Sequence, residues 1–219
     1  MSKPAVSPGR LITIEGGEGA GKSTVIAALI GALEARGLVV QSAREPGGTP
    51  VGEAVRELVL SPVWHERICA ESELLLMFAA RAQLLRERIL PALAAGEFVV
   101  SDRFTDASFA YQGGARGQPW ERIRELERWA ACDLQPDLTF LLDVPVAIGR
   151  ARIAARGESD RMEREQDAFF ERVHQAYHRR AAECPGRFRI IDASQSQAQV
   201  ATDVLAELER WWQSLDAAT

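Results

Sequence analysis

The sequence predicts a doubly wound α/β domain built on five parallel strands, and three observations predict it. Short apolar runs bounded by turn residues recur at 11–15, 38–42, 98–101, 138–142 and 188–191. Their Val, Ile, Leu and Phe residues run continuously rather than alternating, as in strands buried on both faces. Helical patterns lie between them: Ile26, Leu29, Ile30 and Leu33 form one stripe, and Val200, Val204, Leu208 and Trp211 another. Gly37 and Gly96 stand where a helix should end before a strand, the place of a left-handed cap. Such alternation implies a single domain over 11–215 behind a short, polar, flexible lead at 1–10.

Composition narrows the class. With 219 residues and 47% hydrophobic content the chain can bury a full core. A net charge of −5 leaves no basic footprint for nucleic acid. No apolar run approaches the roughly 20 residues needed to cross a bilayer, so no membrane partner is expected. The first ten residues lack the apolar core of a signal peptide. Cys69, Cys132 and Cys184 are odd in number and form no C-x-x-C pair, which indicates neither a disulfide framework nor zinc. A reducing cytoplasm is the expected compartment.

In a parallel α/β sheet, ligands bind outside the carboxyl ends of the strands. After the first run comes Gly16-Gly17-Glu18-Gly19-Ala20-Gly21-Lys22-Ser23, which fits G-x-x-x-x-G-K-[ST]. A helix-like run follows from Lys22 through Thr24 to about residue 36, the context this motif needs. Glycines let successive backbone N–H groups turn toward one anion, and the helix start adds its positive end. Lys22 suits the β/γ-phosphates and Ser23 suits Mg²⁺. Lys3 and Lys22 are the only lysines, so no guanine-reading Asn-Lys-x-Asp element exists downstream. That argues against a Ras-like switch.

The later strand ends carry further charge. Arg44, Glu45, Pro46, Gly47 and Gly48 make a loop suited to a cis proline, whose arginine reads as part of a second phosphate subsite. Asp102 ends the third run as a Walker-B-like carboxylate for the Mg²⁺ shell. Arg103 beside it suits a second anion through its planar fork, with a structural salt bridge as the alternative. Asp143, after the fourth run, reads most simply as a helix cap.

Two stretches read as acceptor contacts. Met77, Phe78 and Arg81 lie about one turn apart in a helical segment at 71–95, where a ring can stack on a base and a guanidinium can donate to its carbonyl. Phe78 in the core is the alternative. Ser108, Tyr111 and Gln112 crowd the end of a helix that starts after Asp102, with a core role for Tyr111 as the alternative. Finally, Arg150, Arg152, Arg156, Gly157, Asp160 and Arg161 suggest a lid at about 150–165 that closes over phosphates, or a solvated charged helix end.

In combination these residues resemble the thymidylate kinase family over about residues 11–192. The specific parts are Glu45-Pro46-Gly47-Gly48-Thr49, Asp102-Arg103-Phe104 with Ser108 and Ala110-Tyr111-Gln112-Gly113-Gly114, and Arg156-Gly157 with Asp160-Arg161. The resemblance implies a P-loop nucleoside monophosphate kinase-like fold, ATP and Mg²⁺, dTMP as acceptor and a homodimer. It implies Glu18 near the deoxyribose 3′-hydroxyl and Mg²⁺, Arg44 and Arg103 on the acceptor phosphate, and Arg81 on a thymine carbonyl. Ser108 and Gln112 then line the base edge, and Tyr111 fills the space of a ribose 2′-hydroxyl. Arg161 matches the lid arginine of a bacterial subtype, with Arg152 and Arg156 beside it on ATP. The family's stacking aromatic falls at Met77 here, with Phe78 adjacent. A different nucleotide or deoxynucleoside kinase is the rival reading, and a nucleotide-binding switch a more distant one.

Overall fold

A computed structural model describes residues 9–64, 67–155, 157 and 160–216. Arg156 therefore lies outside the described residues, as do the first eight residues of the expected lead. Gly9 and Arg10, the last two of that lead, are tied in: Gly9 N donates to the Leu93 carbonyl and Arg10 pairs with Asp137 at 2.6 Å.

Among the described residues, five strands form one parallel sheet in the order β2-β3-β1-β4-β5. They are β1 (Leu11–Gly16), β2 (Val40–Arg44), β3 (Phe98–Asp102), β4 (Leu138–Asp143) and β5 (Phe188–Asp192). The helices are α1 (Lys22–Glu34), α2 (Pro50–Leu60), α3 (Ala70–Leu84), α4 (Leu90–Ala94), α5 (Thr105–Ser108), α6 (Trp120–Ala130), α7 (Val146–Ala154), α8 (Asp167–Glu183) and α9 (Gln197–Asp216). The doubly wound parallel sheet expected from the sequence is present, with helices on both faces. On one face Ile12, Ile14, Val100 and Phe140 pack against Leu29, Leu33, Val204, Leu208 and Trp211 of α1 and α9. On the other, Leu141 packs with Phe169, Val173 and Tyr177 of α8, and Val99 with Leu84 and Ile89.

Two boundaries moved for local reasons. The second strand starts at Val40 rather than residue 38, because Leu38 N bonds back to the Leu33 carbonyl and so completes the cap of α1. Gly37 supplies the left-handed turn at φ 79°, as its place in the sequence suggested. The helical run at 71–95 is continuous but widens into a π turn at Leu85–Ile89. Pro91 lies just beyond and withholds the N–H that the carbonyl four residues earlier needs, so the backbone regroups there.

Register brings the site together. Arg44 pairs with Asp102, and Asp102 pairs with Ile14, while Gly16 sits beside Leu142. The carboxyl ends of β2, β3, β1 and β4 thus form one rim, and the loops that follow them share one cleft.

Candidate active site

The Gly-rich loop between β1 and α1 is fixed by backbone geometry. Gly19 has φ 75°, and a Cβ there would lie 2.3 Å from the Gly149 carbonyl oxygen. Only glycine permits both that conformation and that approach, so α7 docks directly on the loop. Lys22 folds back, donating to the Gly16 and Gly17 carbonyls at 3.4 and 3.3 Å. Burial, then the charge of Arg103, push its pKa down. The ammonium is held at the loop mouth by weak bonds that an anion can replace.

Arg103 is the hub. It is a non-glycine residue at φ 70°, a strained conformation of the kind that clusters at functional sites. Its Nη1 donates to the Gly16 carbonyl at 3.1 Å, and its Nη2 donates to Tyr111 Oη at 3.2 Å and pairs with Glu18. Tyr111 in turn donates to Glu18 Oε1 at 3.0 Å. Burial alone would raise the Glu18 pKa, but Arg103, Lys22 and the tyrosine outweigh it and hold it at about 2. The carboxylate is therefore ionised at any working pH.

A cleft of about 760 Å³ runs from this loop across the strand ends. Its lining includes Glu18, Gly19, Ala20, Gly21, Lys22, Ser23, Arg44, Glu45, Pro46, Asp102, Arg103, Tyr111, Gln112, Arg152 and Arg161, all expected from the sequence. Glu45–Pro46 is cis. Nη2 of Arg44 donates to both carboxylate oxygens of Glu53, at 2.8 and 2.9 Å. Arg56, which sequence reasoning missed, joins the same wall and donates to the Pro46 carbonyl. Burial and the nearby charge of Arg44 push its pKa down, so this wall gathers cations that an anion would relieve. The missed signal was its place on α2, about two turns after the 43–49 loop.

Three expected residues stand behind the wall instead. Phe78 is 2% exposed and packs under the Arg81 guanidinium, 4.5 Å from its ring centre. Met77 lines the cleft in its place. The reason is rotational: one residue along a helix is about 100° around it, and the core claims the aromatic ring. Arg81 is 1% exposed and donates to Glu45 at 2.7 Å, Ser108 at 3.0 Å and the Phe104 carbonyl at 3.0 Å. It and Ser108 hold the wall rather than face the cleft. Thr24 is at the cleft edge, donating to Gln197.

Arg161 is not brought to the phosphate loop. It is 2% exposed, with Nε donating to the Val59 carbonyl and Nη2 to Glu73 Oε2, each at 2.5 Å. Glu73, also unanticipated, accepts from Gln112 as well at 2.9 Å. Arg152 does reach the loop, donating to the Gly19 carbonyl at 3.3 Å and to Ala193 at 2.9 Å.

Among the described residues, three residues lining this cleft have a buried side-chain oxygen without a hydrogen-bond partner: Oε1 of Glu45, Oδ1 of Asp102 and Oε1 of Gln112. Such orphans are costly unless a ligand completes them. Asp102 with the Ser23 hydroxyl is an oxygen donor set of the hard kind that Mg²⁺ takes.

A family model for thymidylate kinase matches residues 14–204. The chain belongs to the thymidylate kinase family. It is 54% identical over 211 residues to a thymidylate kinase of Chromohalobacter salexigens, spanning 94% of this chain and 100% of that one. It is 58% identical to one of Bordetella pertussis, over 85% of this chain and 88% of the relative. A third, from Methylobacillus flagellatus, is 55% identical over 90% and 95% of the two chains. Membership accords with the P-loop nucleoside monophosphate kinase architecture described above. No helix among the described residues is long and apolar enough to cross a membrane.

Proposed function

We propose that this chain transfers the γ-phosphoryl group of ATP to dTMP, giving dTDP and ADP in nucleotide biosynthesis. The observation that carries the reading is the Glu18–Arg103–Tyr111 cluster standing between a phosphate loop and a second, arginine-lined wall. A switch or assembly ATPase needs no such second subsite, and an acceptor lacking phosphate needs no arginines there.

The chemistry follows from charge. ATP and a monophosphate repel each other, so the site has to screen both while holding them in line. Lys22 and the loop amides take the β/γ-phosphates; Arg103, with Arg44 and Arg56, takes the acceptor phosphate. An oxygen of that phosphate attacks the γ-phosphorus and ADP leaves, so no protein nucleophile is involved. Mg²⁺ held by Ser23 and Asp102 supplies further charge neutralisation when bound. Tyr111 closes the sugar pocket, Met77 faces the base, and the orphaned Gln112 Oε1 is suited to accept from a pyrimidine N–H. Arg152 and Arg156 supply the lid-side charge that the resemblance assigned to Arg161. Arg161 itself, held by Glu73, fastens the lid to α2 and α3.

A coupled assay with MgATP and separate monophosphates tests the reading. We expect dTMP to be preferred, dUMP weaker by the about 1–3 kcal/mol of a methyl contact, and purine monophosphates poor. Faster turnover of dGMP or AMP would sink the base assignment. The chain is read as cytoplasmic and as a homodimer. Leu75 and Trp129, 57% and 77% exposed, flank one apolar groove between α3 and α6. Light scattering of Trp129→Glu should show a monomer where the wild type shows a dimer.

A further inference from the structure

We propose that Asp143, His174 and His178 form a binding site for a borderline divalent transition metal, with Zn²⁺ as the ion whose chemistry fits it best. β4 ends at Asp143, and α8 carries the two histidines four residues apart, hence on one face. Nε2 of His174 and Nε2 of His178 lie 2.7 and 3.1 Å from the same oxygen, Oδ1 of Asp143. The three ligand atoms all lie within 4.8 Å of one another.

The two nitrogen–oxygen spacings are close to those of a coordination shell. Zn–N and Zn–O bonds of about 2.0–2.1 Å in a tetrahedron put ligand atoms roughly 3.3 Å apart. An ion therefore enters with small movements of side chains that are already convergent. The imidazole rings are tilted 55° to each other with centres 4.6 Å apart, so their nitrogens point to a common place rather than stack flat. Two imidazoles and one carboxylate select Zn²⁺ and its neighbours over Mg²⁺ or Ca²⁺, which prefer oxygen alone. Side-chain exposures of 30–38% leave room for water at a fourth position.

In the metal-free state the two Nε2–H groups donate to Asp143, which keeps the carboxylate and both rings in place. On binding, each ring carries its proton on Nδ1 instead and turns the Nε2 lone pair to the ion. Two of the chain's three histidines meet here, although the cysteine spacing offered no reason to expect zinc.

The position explains what the ion would do. Asp143 also accepts Ala193 N through its carbonyl at 2.7 Å, and α7 starts three residues later and docks on the phosphate loop through Gly149. An ion joining Asp143 to α8 ties together the two anchors that bracket α7 and the lid. It would stabilise that frame without entering the Ser23–Asp102 pair.

Calorimetric titration of chelator-treated full-length protein with ZnCl₂, in excess Mg²⁺, tests this. One equivalent of Zn²⁺ should bind, and His174→Ala and His178→Ala should each weaken it at least about tenfold, the scale seen even for losses of outer-shell partners. Zn²⁺ should raise the wild-type Tm and, at the same concentration, raise that of both variants less. Co²⁺ in place of Zn²⁺ should give a visible d–d band without thiolate charge transfer, which separates this site from the cysteines. Failure of the wild type to take up Zn²⁺ in excess Mg²⁺ would overturn the proposal. So would wild-type affinity in both histidine variants and in Asp143→Asn, each with wild-type circular dichroism.

Discussion

The phenol of Tyr111 donates to Oε1 of Glu18 at 3.0 Å, joining the phosphate loop to the turn that follows α5. Nη2 of Arg103 reaches the same two groups. This three-membered contact is where the donor and acceptor halves of the cleft meet. Tyr111 sits in a π turn at Phe109–Ala115, whose wider backbone carries both Tyr111 and Gln112 to the cleft wall.

Tyr111→Ala should open the sugar pocket and narrow the gap in kcat/KM between dTMP and its ribonucleotide counterpart. Tyr111→Phe keeps the ring and should keep the discrimination. Parallel kinetics on both acceptors decide it. An unchanged ratio in a folded Tyr111→Ala enzyme would leave the residue with packing alone, against Phe169 and Tyr177.

Three arginines should separate. Arg103→Ala should weaken dTMP binding and lower kcat, because it meets the acceptor phosphate before reaction. Arg152→Ala should lower kcat by about 10²–10³ with dTMP binding little changed, in the range for lost electrostatic stabilisation of a transition state. Arg161→Ala should cost stability instead, up to about 3 kcal/mol, since it strips a partner from a buried carboxylate; Arg116 stays 3.3 Å from Glu73 and limits the loss. Titration with dTMP, steady-state rates and thermal melts distinguish the three. A collapse of kcat in Arg161→Ala with an unaltered melt would return the lid role to Arg161.

Asp102→Asn keeps the shape and removes the charge beside the orphaned oxygen. The Mg²⁺ concentration for half-maximal rate should rise about tenfold or more, the lower end of what a perturbed metal site costs. Rates measured across a Mg²⁺ series at fixed ATP check this, and an unshifted midpoint would remove Asp102 from the metal shell.

Glu15 gives a pH signature. It is fully buried at the end of β1, accepting from Phe104 N at 2.7 Å and Tyr177 Oη at 2.8 Å. Burial, with the nearby Asp106 charge, pushes its pKa up to about 8. The folded protein then holds a proton that the unfolded chain releases above about 4.5. Its contribution is fully present below that pH and is lost as pH rises toward 8, by up to about 1.4 kcal/mol per unit. Urea midpoints of Glu15→Gln should lack this decline. Parallel curves for wild type and variant from pH 5 to 8 would refute it.

The five strands, the phosphate loop and the helix that follows it were legible because their signals are local. A run of Val and Ile, a Gly37 cap or G-x-x-x-x-G-K-[ST] needs no distant partner to be read. The charged rim was legible for a related reason: in a parallel sheet the residue after each strand has to reach the same edge. The family resemblance rested on the order of those rim residues together with the stretches at 108–114 and 156–161.

What only the tertiary structure decided was orientation and partnership. Whether Met77 or Phe78 faces the cleft depends on how α3 is rotated by packing on its other side, which no stripe of α3 residues declares. Arg161 and Glu73 are 88 residues apart, and Arg103 and Glu18 are 85 apart. An arginine offers the same donors to a phosphate, a carboxylate or a carbonyl, so its role follows from which acceptor the fold brings within about 3 Å. For the same reason Asp143 read as a helix cap until α8 put two imidazoles against it.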